Sequence, residues 1–141
     1  MKKLLIPSIF FVLLISFSFA QKPYKVVFYN LENFFDTIND PEVLDDEFTP
    51  DGPKKWNTAK YNKKLNNTER VLFDIAAIDK NYPIVIGVSE VETRGVLEDI
   101  VATPKLAPAN YRIAHFDSPE ARGVDVAFLY RPDVFKIEGQ Y

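Results

Sequence analysis

The apolar and polar positions of the chain predict two buried strands with a long helix between them. Residues 24–29 (YKVVFY) are mostly apolar at both the odd and the even positions, which predicts a central strand covered on both faces. Residues 84–88 (IVIGV) form a second, short apolar run of the buried-strand type. Between them, apolar residues with a 3.6-residue period predict a helix from Asn57 or Thr58 to about Lys80, with its lysines on the outer face.

The second half of the chain predicts shorter elements. We expect a helix over residues 93–102, strands over 111–116 and 124–130, and one more short strand near Phe135. The order β, loop, α, β, α, β, β is typical of an α/β protein whose later strands pair as a hairpin. We expect one domain over residues 21–141, incomplete at its C-terminus because the chain stops just after the last predicted strand begins.

The first 20 residues have the layout of a secretory signal peptide. Two lysines precede a long apolar run, and Ser18 and Ala20 occupy the −3 and −1 positions of a cleavage site before Gln21. The run is shorter than the roughly 20 residues that span a bilayer, so export with cleavage is preferred over a retained anchor. The expected location is secreted or periplasmic, with no integral membrane domain after cleavage.

Composition and charge exclude several classes of protein. The sequence has no cysteine, which rules out a disulfide-stapled mini-protein and a cysteine-based zinc module. Its 17 Lys and Arg against 20 Asp and Glu give a formal net charge of −3, which does not favour a protein that wraps nucleic acid.

Two polar residues stand at the ends of the first two predicted strands. Asn30 follows the first strand and Glu90 follows the second. If these strands are parallel neighbours, both side chains reach the rim of the sheet where α/β proteins commonly bind ligands. A carboxylate and an amide oxygen suit a hard cation such as Mg²⁺. A glutamate in this place is, however, more often solvated or a cap for the next helix.

Other polar residues have weaker signals. Arg122 and Asp125 flank Gly123, so Arg122 could pair with Asp125 or grip a phosphate oxygen. His115, the single histidine, is more often a packed or hydrogen-bonded residue than a catalyst. Residues 36–51 carry seven acidic side chains and no basic one, but they lack the calcium-loop pattern and predict a solvated surface loop.

Taken together, the motifs resemble one known family. FYNLENFFDT, DDEFTP, W-x₄-Y, IVIGVSEVE and HFDSPEARGVDVAFLYRP occur in this order from about residue 24 to residue 132. The set is similar to the secreted bacterial branch of the endonuclease/exonuclease/phosphatase family. The resemblance implies an α/β fold of two packed, mostly antiparallel sheets with helices outside, of which this chain would be the N-terminal half.

The resemblance also implies a chemistry and a set of site residues. The family hydrolyses phosphate esters with a divalent cation, Mg²⁺ or another ion. Asn30 matches the family's strand-end asparagine at the metal and scissile phosphate, and Glu90 matches its metal-binding glutamate. Both are therefore expected as catalytic and metal residues. Arg122 begins the segment that lines the pocket and is expected to bind substrate, a phosphate ester with nucleic acid as one candidate; no oligomer is evident.

The sequence departs from the family in its later motifs. The G-D-x-N motif and the terminal Asp-His pair do not occur, and phosphoryl transfer needs a polarised phosphate, a positioned nucleophile and charge stabilisation together. We therefore expect a truncated member whose full-length form is a phosphodiesterase, most simply a nuclease. The alternatives are a non-catalytic fragment or binding remnant, and a lipid or inositol phosphoesterase.

Overall fold

The computed structural model describes residues 23–139. The signal peptide and cleavage site that the sequence predicts lie outside the described residues. Within the described part, the chain forms four strands, two α-helices and two single turns of 3₁₀ helix. The helices and strands are β1 (Val26–Phe34), α1 (Thr58–Ala77), β2 (Val85–Val91), α2 (Arg94–Ala102), β3 (Arg112–Phe116) and β4 (Asp125–Tyr130).

The predicted order of elements is confirmed up to β4. Asn57 caps α1 as expected, because its side-chain oxygen accepts hydrogen bonds from two backbone NH groups of the first turn, each 3.1 Å long. Thr93 caps α2 in the same way through its hydroxyl. The short strand expected near Phe135 is wrong, because the described residues after β4 form a turn and irregular backbone, and the Phe135 ring packs against Tyr130.

The four strands form one mixed sheet in the order β1-β2-β4-β3. β1 and β2 are parallel neighbours in a register from Val26 opposite Val85 to Asn30 opposite Ser89. β4 runs antiparallel to both β2 and β3, so the predicted hairpin of the later strands is confirmed. The position expected for the first strand is wrong: β1 lies at the edge of the described sheet, whereas β2 is central.

The core lies between one face of this sheet and the two helices. Ile86 and Val88 of β2 and Leu129 of β4 are fully buried there, and α2 covers them with Leu97 and Ile100. Burial of this kind supplies most of the driving force for folding. The α/β class predicted from the sequence is therefore confirmed.

The opposite face of the sheet carries exposed aromatic side chains. Phe28 is 70% exposed and Phe128 is 45% exposed, and both rings lie over Gly87 of the central strand. A Cβ on Gly87 would lie 2.6 Å from the Phe28 ring, so glycine leaves room for the rings to cross the strand. Only one sheet occurs among residues 23–139, so the second sheet that the resemblance implies is not part of the described structure. The apolar sequence of β1 indicated two covered faces, but one face is open here.

Residues 23–139 contain no helix with both the length and the apolar character that a membrane crossing requires. The longest helix, α1, carries lysine and other charged side chains along its length.

The two faces of the sheet predict opposite responses to substitution. Leu129→Ala should lower the free energy of unfolding by about 2–5 kcal/mol, because it opens a cavity in the core. Phe28→Ala should change it by less than about 1 kcal/mol and should reduce aggregation, because the ring is mostly exposed. Urea unfolding and light scattering measure both effects. Equal losses of stability for the two variants would contradict the assignment of faces.

Candidate active site

The site lies where two neighbouring strands depart from regular geometry at the same level. In β1, Glu32 and Asn33 adopt left-handed backbone conformations with φ of 55° and 58°, and in β2 Glu90 does so with φ of 58°. The register between β1 and β2 shifts between Asn30 and Phe34, and that between β2 and β4 shifts between Ser89 and Val91. Such conformations are uncommon outside glycine and often mark functional sites.

These irregularities bring Asn30 and Glu90 into contact. The Asn30 side-chain NH₂ donates to Glu90 Oε1 over 2.9 Å, and the Asn33 backbone NH donates to Glu90 Oε2 over 3.0 Å. The Asn30 amide oxygen accepts from the Glu32 backbone NH over 2.6 Å, so partners on both sides define the orientation of the amide. The geometric prediction that the two side chains meet at one rim of the sheet is confirmed.

Helix α1 contributes a lysine to this rim. Lys64 Nζ donates to the backbone carbonyl oxygens of Glu32 over 2.6 Å and of Asn33 over 3.4 Å. Burial lowers the pKa of Lys64, and the nearby carboxylates of Glu32 and Glu90 oppose that shift. Lys64 thus ties the helix to the irregular end of β1. The prediction of lysines on the outer face of α1 does not hold for Lys64.

Arg122 reaches the same rim from the loop between β3 and β4. Its Nη1 donates to the Asn33 side-chain oxygen over 2.8 Å, and its Nε donates to Glu120 over 3.0 Å. The guanidinium lowers the pKa of the Glu120 carboxyl through this hydrogen bond. Arg122 does not pair with Asp125, one of the two interpretations that the sequence left open. Its Nη2 has no hydrogen-bond partner among residues 23–139, which leaves donors available.

The acidic segment 36–51 is anchored at the end of β2 rather than simply solvated. Asp45 is buried and accepts from the Asp40 backbone NH, while Glu92 accepts from the Asp36 backbone NH over 2.6 Å. Burial raises the pKa of Glu92 to about 8; the Asp36 hydrogen bond opposes this, and the charges of Asp36 and Asp45 add to it. Phe48 of the segment stacks on Phe35 with the ring centroids 4.0 Å apart.

His115 and Asp125 occupy a separate pocket. His115 Nε2 lies 2.9 Å from Asp125 Oδ2, and both side chains are mostly buried. The expectation that His115 is packed among its neighbours agrees with this position. The lining residues of this pocket include Glu92 and Asp117 but neither Asn30 nor Glu90, so the histidine lies apart from the Asn30–Glu90 rim.

The residues at the rim fit a divalent cation at Glu90. Each carboxylate oxygen accepts one hydrogen bond and keeps a lone pair, and the two donors hold the carboxylate in place, as hydrogen bonds to metal-binding side chains commonly do. Glu32 offers a second carboxylate within electrostatic reach of Lys64. In this structure the Asn30 side chain donates a hydrogen bond to the Glu90 carboxylate. Direct binding of a metal by Asn30 stays a prediction.

Sequence reasoning did not find Lys64, Asn33 or Glu32 at this site. Lys64 follows the helical period of a solvated lysine, and no local pattern distinguishes it from Lys63. Asn33 and Glu32 lie inside the NLEN segment that follows the first apolar run, and their roles depend on left-handed backbone conformations. The available signal was two asparagines and one glutamate within NLEN, together with two glutamates within SEVE.

The fold and the rim together define an α/β protein with a carboxylate, an amide and two cationic side chains at the ends of parallel strands. This set of groups is suited to holding a divalent cation and a phosphate. The family model described as the endonuclease/exonuclease/phosphatase family matches residues 25–140, and the chain belongs to this family. Comparison with curated proteins and with solved structures gives no match.

The role of Lys64 can be separated from that of its neighbour. Lys64→Met should lower the free energy of unfolding by about 1–3 kcal/mol, because it removes the charged donor from two strand-end carbonyls. Lys63→Met is the matched control and should change it by about 0.5 kcal/mol or less, since Lys63 is exposed. Urea midpoints at constant slope give both values. Equal effects would mean that Lys64 does not anchor the site.

Proposed function

We propose that the protein hydrolyses phosphate esters with a divalent cation bound at Glu90. Membership of the endonuclease/exonuclease/phosphatase family supports phosphoester substrates and divalent-metal dependence in general. The single observation that carries the residue assignment is the contact of the Asn30 amide with the Glu90 carboxylate across two parallel strands. Mg²⁺ is the preferred ion because the rim offers oxygen ligands.

Each residue of the rim has a distinct role in this proposal. A bound cation would polarise the phosphate and offset the charge that develops on its oxygens. Glu90 holds the ion, and Asn30 and the Asn33 backbone NH keep the carboxylate oriented. Arg122 binds a phosphate oxygen through the donors that Asn33 and Glu120 leave unused.

A phosphodiester of nucleic acid is the proposed substrate. A cavity of about 410 Å³ lies beside Asn33 and Arg122, and its lining also includes Lys54, Phe48 and the carboxylates Asp46 and Glu47. Lys54 lies over the Phe48 ring and pairs with Glu47. A positive charge beside an aromatic ring supports a nucleotide as the proposed substrate. The overall charge of −3 disfavours broad binding to a polyanion, so recognition would depend on these few local groups.

We also propose that the protein acts outside the cytoplasm. The support is the arrangement of lysines, apolar run and small residues in the first 20 positions. The mass of the protein recovered from cells tests this directly. An N-terminus at Gln21 is expected, and retention of Met1 on membrane-bound material would contradict it.

Substitution of Glu90 tests the metal assignment. Glu90→Gln removes the charge but keeps the shape, so Mg²⁺ affinity measured by calorimetry should fall at least about 10-fold. In the full-length form, the same substitution should lower the rate of hydrolysis of plasmid DNA or bis(p-nitrophenyl) phosphate at least about 100-fold. Glu98→Gln, at an exposed position of α2, is the matched control and should leave both unchanged. Unchanged Mg²⁺ binding in Glu90→Gln would remove Glu90 from the site.

The choice of substrate class needs parallel assays of DNA, RNA, sphingomyelin and inositol phosphates. Activity confined to the lipid or inositol substrates would replace the nuclease proposal. Mg²⁺ binding that depends on Glu90, without hydrolysis of any substrate, would favour the non-catalytic fragment instead. The outcome of Mg²⁺ binding without hydrolysis is included because the sequence lacks the G-D-x-N and Asp-His motifs that hydrolysis is expected to need.

Substitution of Arg122 tests its assignment to substrate. Arg122→Lys keeps the charge but loses the planar fork, so KM should rise about 10-fold or more while Mg²⁺ affinity stays the same. Steady-state kinetics on a phosphodiester substrate gives the first value and calorimetry the second. A loss of Mg²⁺ affinity in this variant would assign Arg122 to the architecture of the metal site.

A further inference from the structure

The connection between β3 and β4 gathers three side chains that can each ligate a metal. His115 lies on β3, Asp117 follows directly after that strand, and Asp125 begins β4. One ligand atom from each lies within 4.8 Å of the other two. The histidine lies on the helix-covered face, because it pairs with Ala127, which is buried in the core.

The imidazole nitrogen that points into this cluster is buried without a hydrogen bond. His115 Nε2 has no hydrogen-bond partner among the described residues, although it lies 2.9 Å from Asp125 Oδ2, because the two groups are not aligned for a hydrogen bond. A buried polar atom without a partner is costly and calls for an explanation. Two ligands about 2.1 Å from an ion lie about 3 Å apart in cis octahedral geometry and about 3.4 Å apart in tetrahedral geometry, so a small shift of either side chain admits an ion.

The remaining contacts hold the cluster ready for a ligand. Asp125 Oδ1 accepts from the Ser118 backbone NH over 2.7 Å, which fixes the carboxylate while Oδ2 stays directed at the histidine. The Ser118 hydroxyl donates to the Val124 carbonyl over 2.7 Å and closes the loop below it. Asp117 is exposed and lines a cavity of about 340 Å³, so an ion has both an entry path and room for water ligands.

We propose that His115, Asp117 and Asp125 bind one divalent transition-metal ion, with Zn²⁺ and Mn²⁺ as the ions that the donors suit. One imidazole nitrogen and two carboxylate oxygens form a mixed set that such ions accept, whereas Mg²⁺ prefers oxygen ligands alone. The site is distinct from the one proposed at Glu90, because Glu90 and Asn30 are not among the lining residues of its cavity.

The proposed ion has a structural consequence for the Asn30–Glu90 rim. Residues 117–124 connect its ligands and carry Arg122, whose guanidinium contacts Asn33. Binding the ion between β3 and β4 would fix both ends of this connection, so Arg122 would be presented to the rim from a more rigid loop. The ion is therefore a support for the loop, and no reacting group is assigned to it.

The single histidine of the sequence gives a direct measurement. With Mg²⁺ in excess to occupy the proposed Glu90 site, one equivalent of Zn²⁺ should shift the imidazole NMR signals of His115, and Mn²⁺ should broaden them. Mg²⁺ alone should do neither. Absence of a Zn²⁺ shift would overturn the proposal and leave His115 and Asp125 as a buried polar pair only.

Matched variants distinguish this site from other carboxylates. Asp117→Asn should weaken Zn²⁺ binding at least about 10-fold. Because Asp117 is exposed, we expect this variant to fold like the unsubstituted protein. Asp74→Asn, at an exposed position of α1, is the control and should bind Zn²⁺ as the unsubstituted protein does. Equal Zn²⁺ affinity in Asp117→Asn and Asp74→Asn would overturn the three-residue site.

The Glu90 variant separates this proposal from the proposed function. Glu90→Gln should keep the Zn²⁺ shift of His115 even where Mg²⁺ binding is lost, since different residues hold the two ions. His115→Gln should lose high-affinity Zn²⁺ binding in calorimetry and keep Mg²⁺ binding. Loss of the Zn²⁺ effect in Glu90→Gln with its retention in Asp117→Asn would place the ion at the rim and overturn the inference.

Discussion

The hydrogen bond between the Asn30 amide and the Glu90 carboxylate is the contact on which the candidate site depends. It joins two parallel strands at the point where both leave regular geometry, and Asn33 supplies a second donor to the same carboxylate. A carboxylate at a regular strand end would be free to turn toward solvent. Here each oxygen has one fixed donor and one free lone pair, which is how a ligand is oriented before an ion arrives. The unusual backbone of Glu32, Asn33 and Glu90 is thus coupled to the position of a single side chain.

The charged side chains around this contact form two groups, one at the rim of the sheet and one buried behind it. At the rim, the cations of Lys64 and Arg122 come from elements distant in sequence and bond to backbone and amide oxygens. Behind it, Glu92 lies buried beside Asp45, and burial raises its pKa to about 8. Glu90 and Glu92, which only one residue separates, therefore have opposite environments. Glu90 is open to a cation, whereas Glu92 is enclosed by the acidic segment. This division lets one strand end serve both ligand binding and the anchoring of a long loop.

Sequence reasoning succeeded where the determining interactions are local or follow from simple topology. The cap at Asn57, the period of α1 and the apolar run at Ile86 and Val88 are properties of adjacent residues, and each appears in the structure. The meeting of Asn30 and Glu90 followed from one assumption, that consecutive strands are parallel neighbours. Reasoning failed at β1, whose apolar composition is the same for a central strand and for an edge strand with an open face. It also failed at Lys64, because a lysine that enters a site and one that faces water have the same spacing.

The sequence by itself determined the class of fold, the order of elements up to β4 and the pair of residues at the strand ends, since these depend on periodicity, capping and chain order. Only the tertiary structure decided which groups surround that pair. The left-handed backbone at Glu32 and Asn33 and the reach of Arg122 to Asn33 depend on the packing of segments far apart in the chain. The closeness of His115 to Asp125 depends on the register of the β3–β4 hairpin. The sequence near each residue does not predict such contacts, because any exposed polar residue could make them. The register of the sheet determines which polar residues meet.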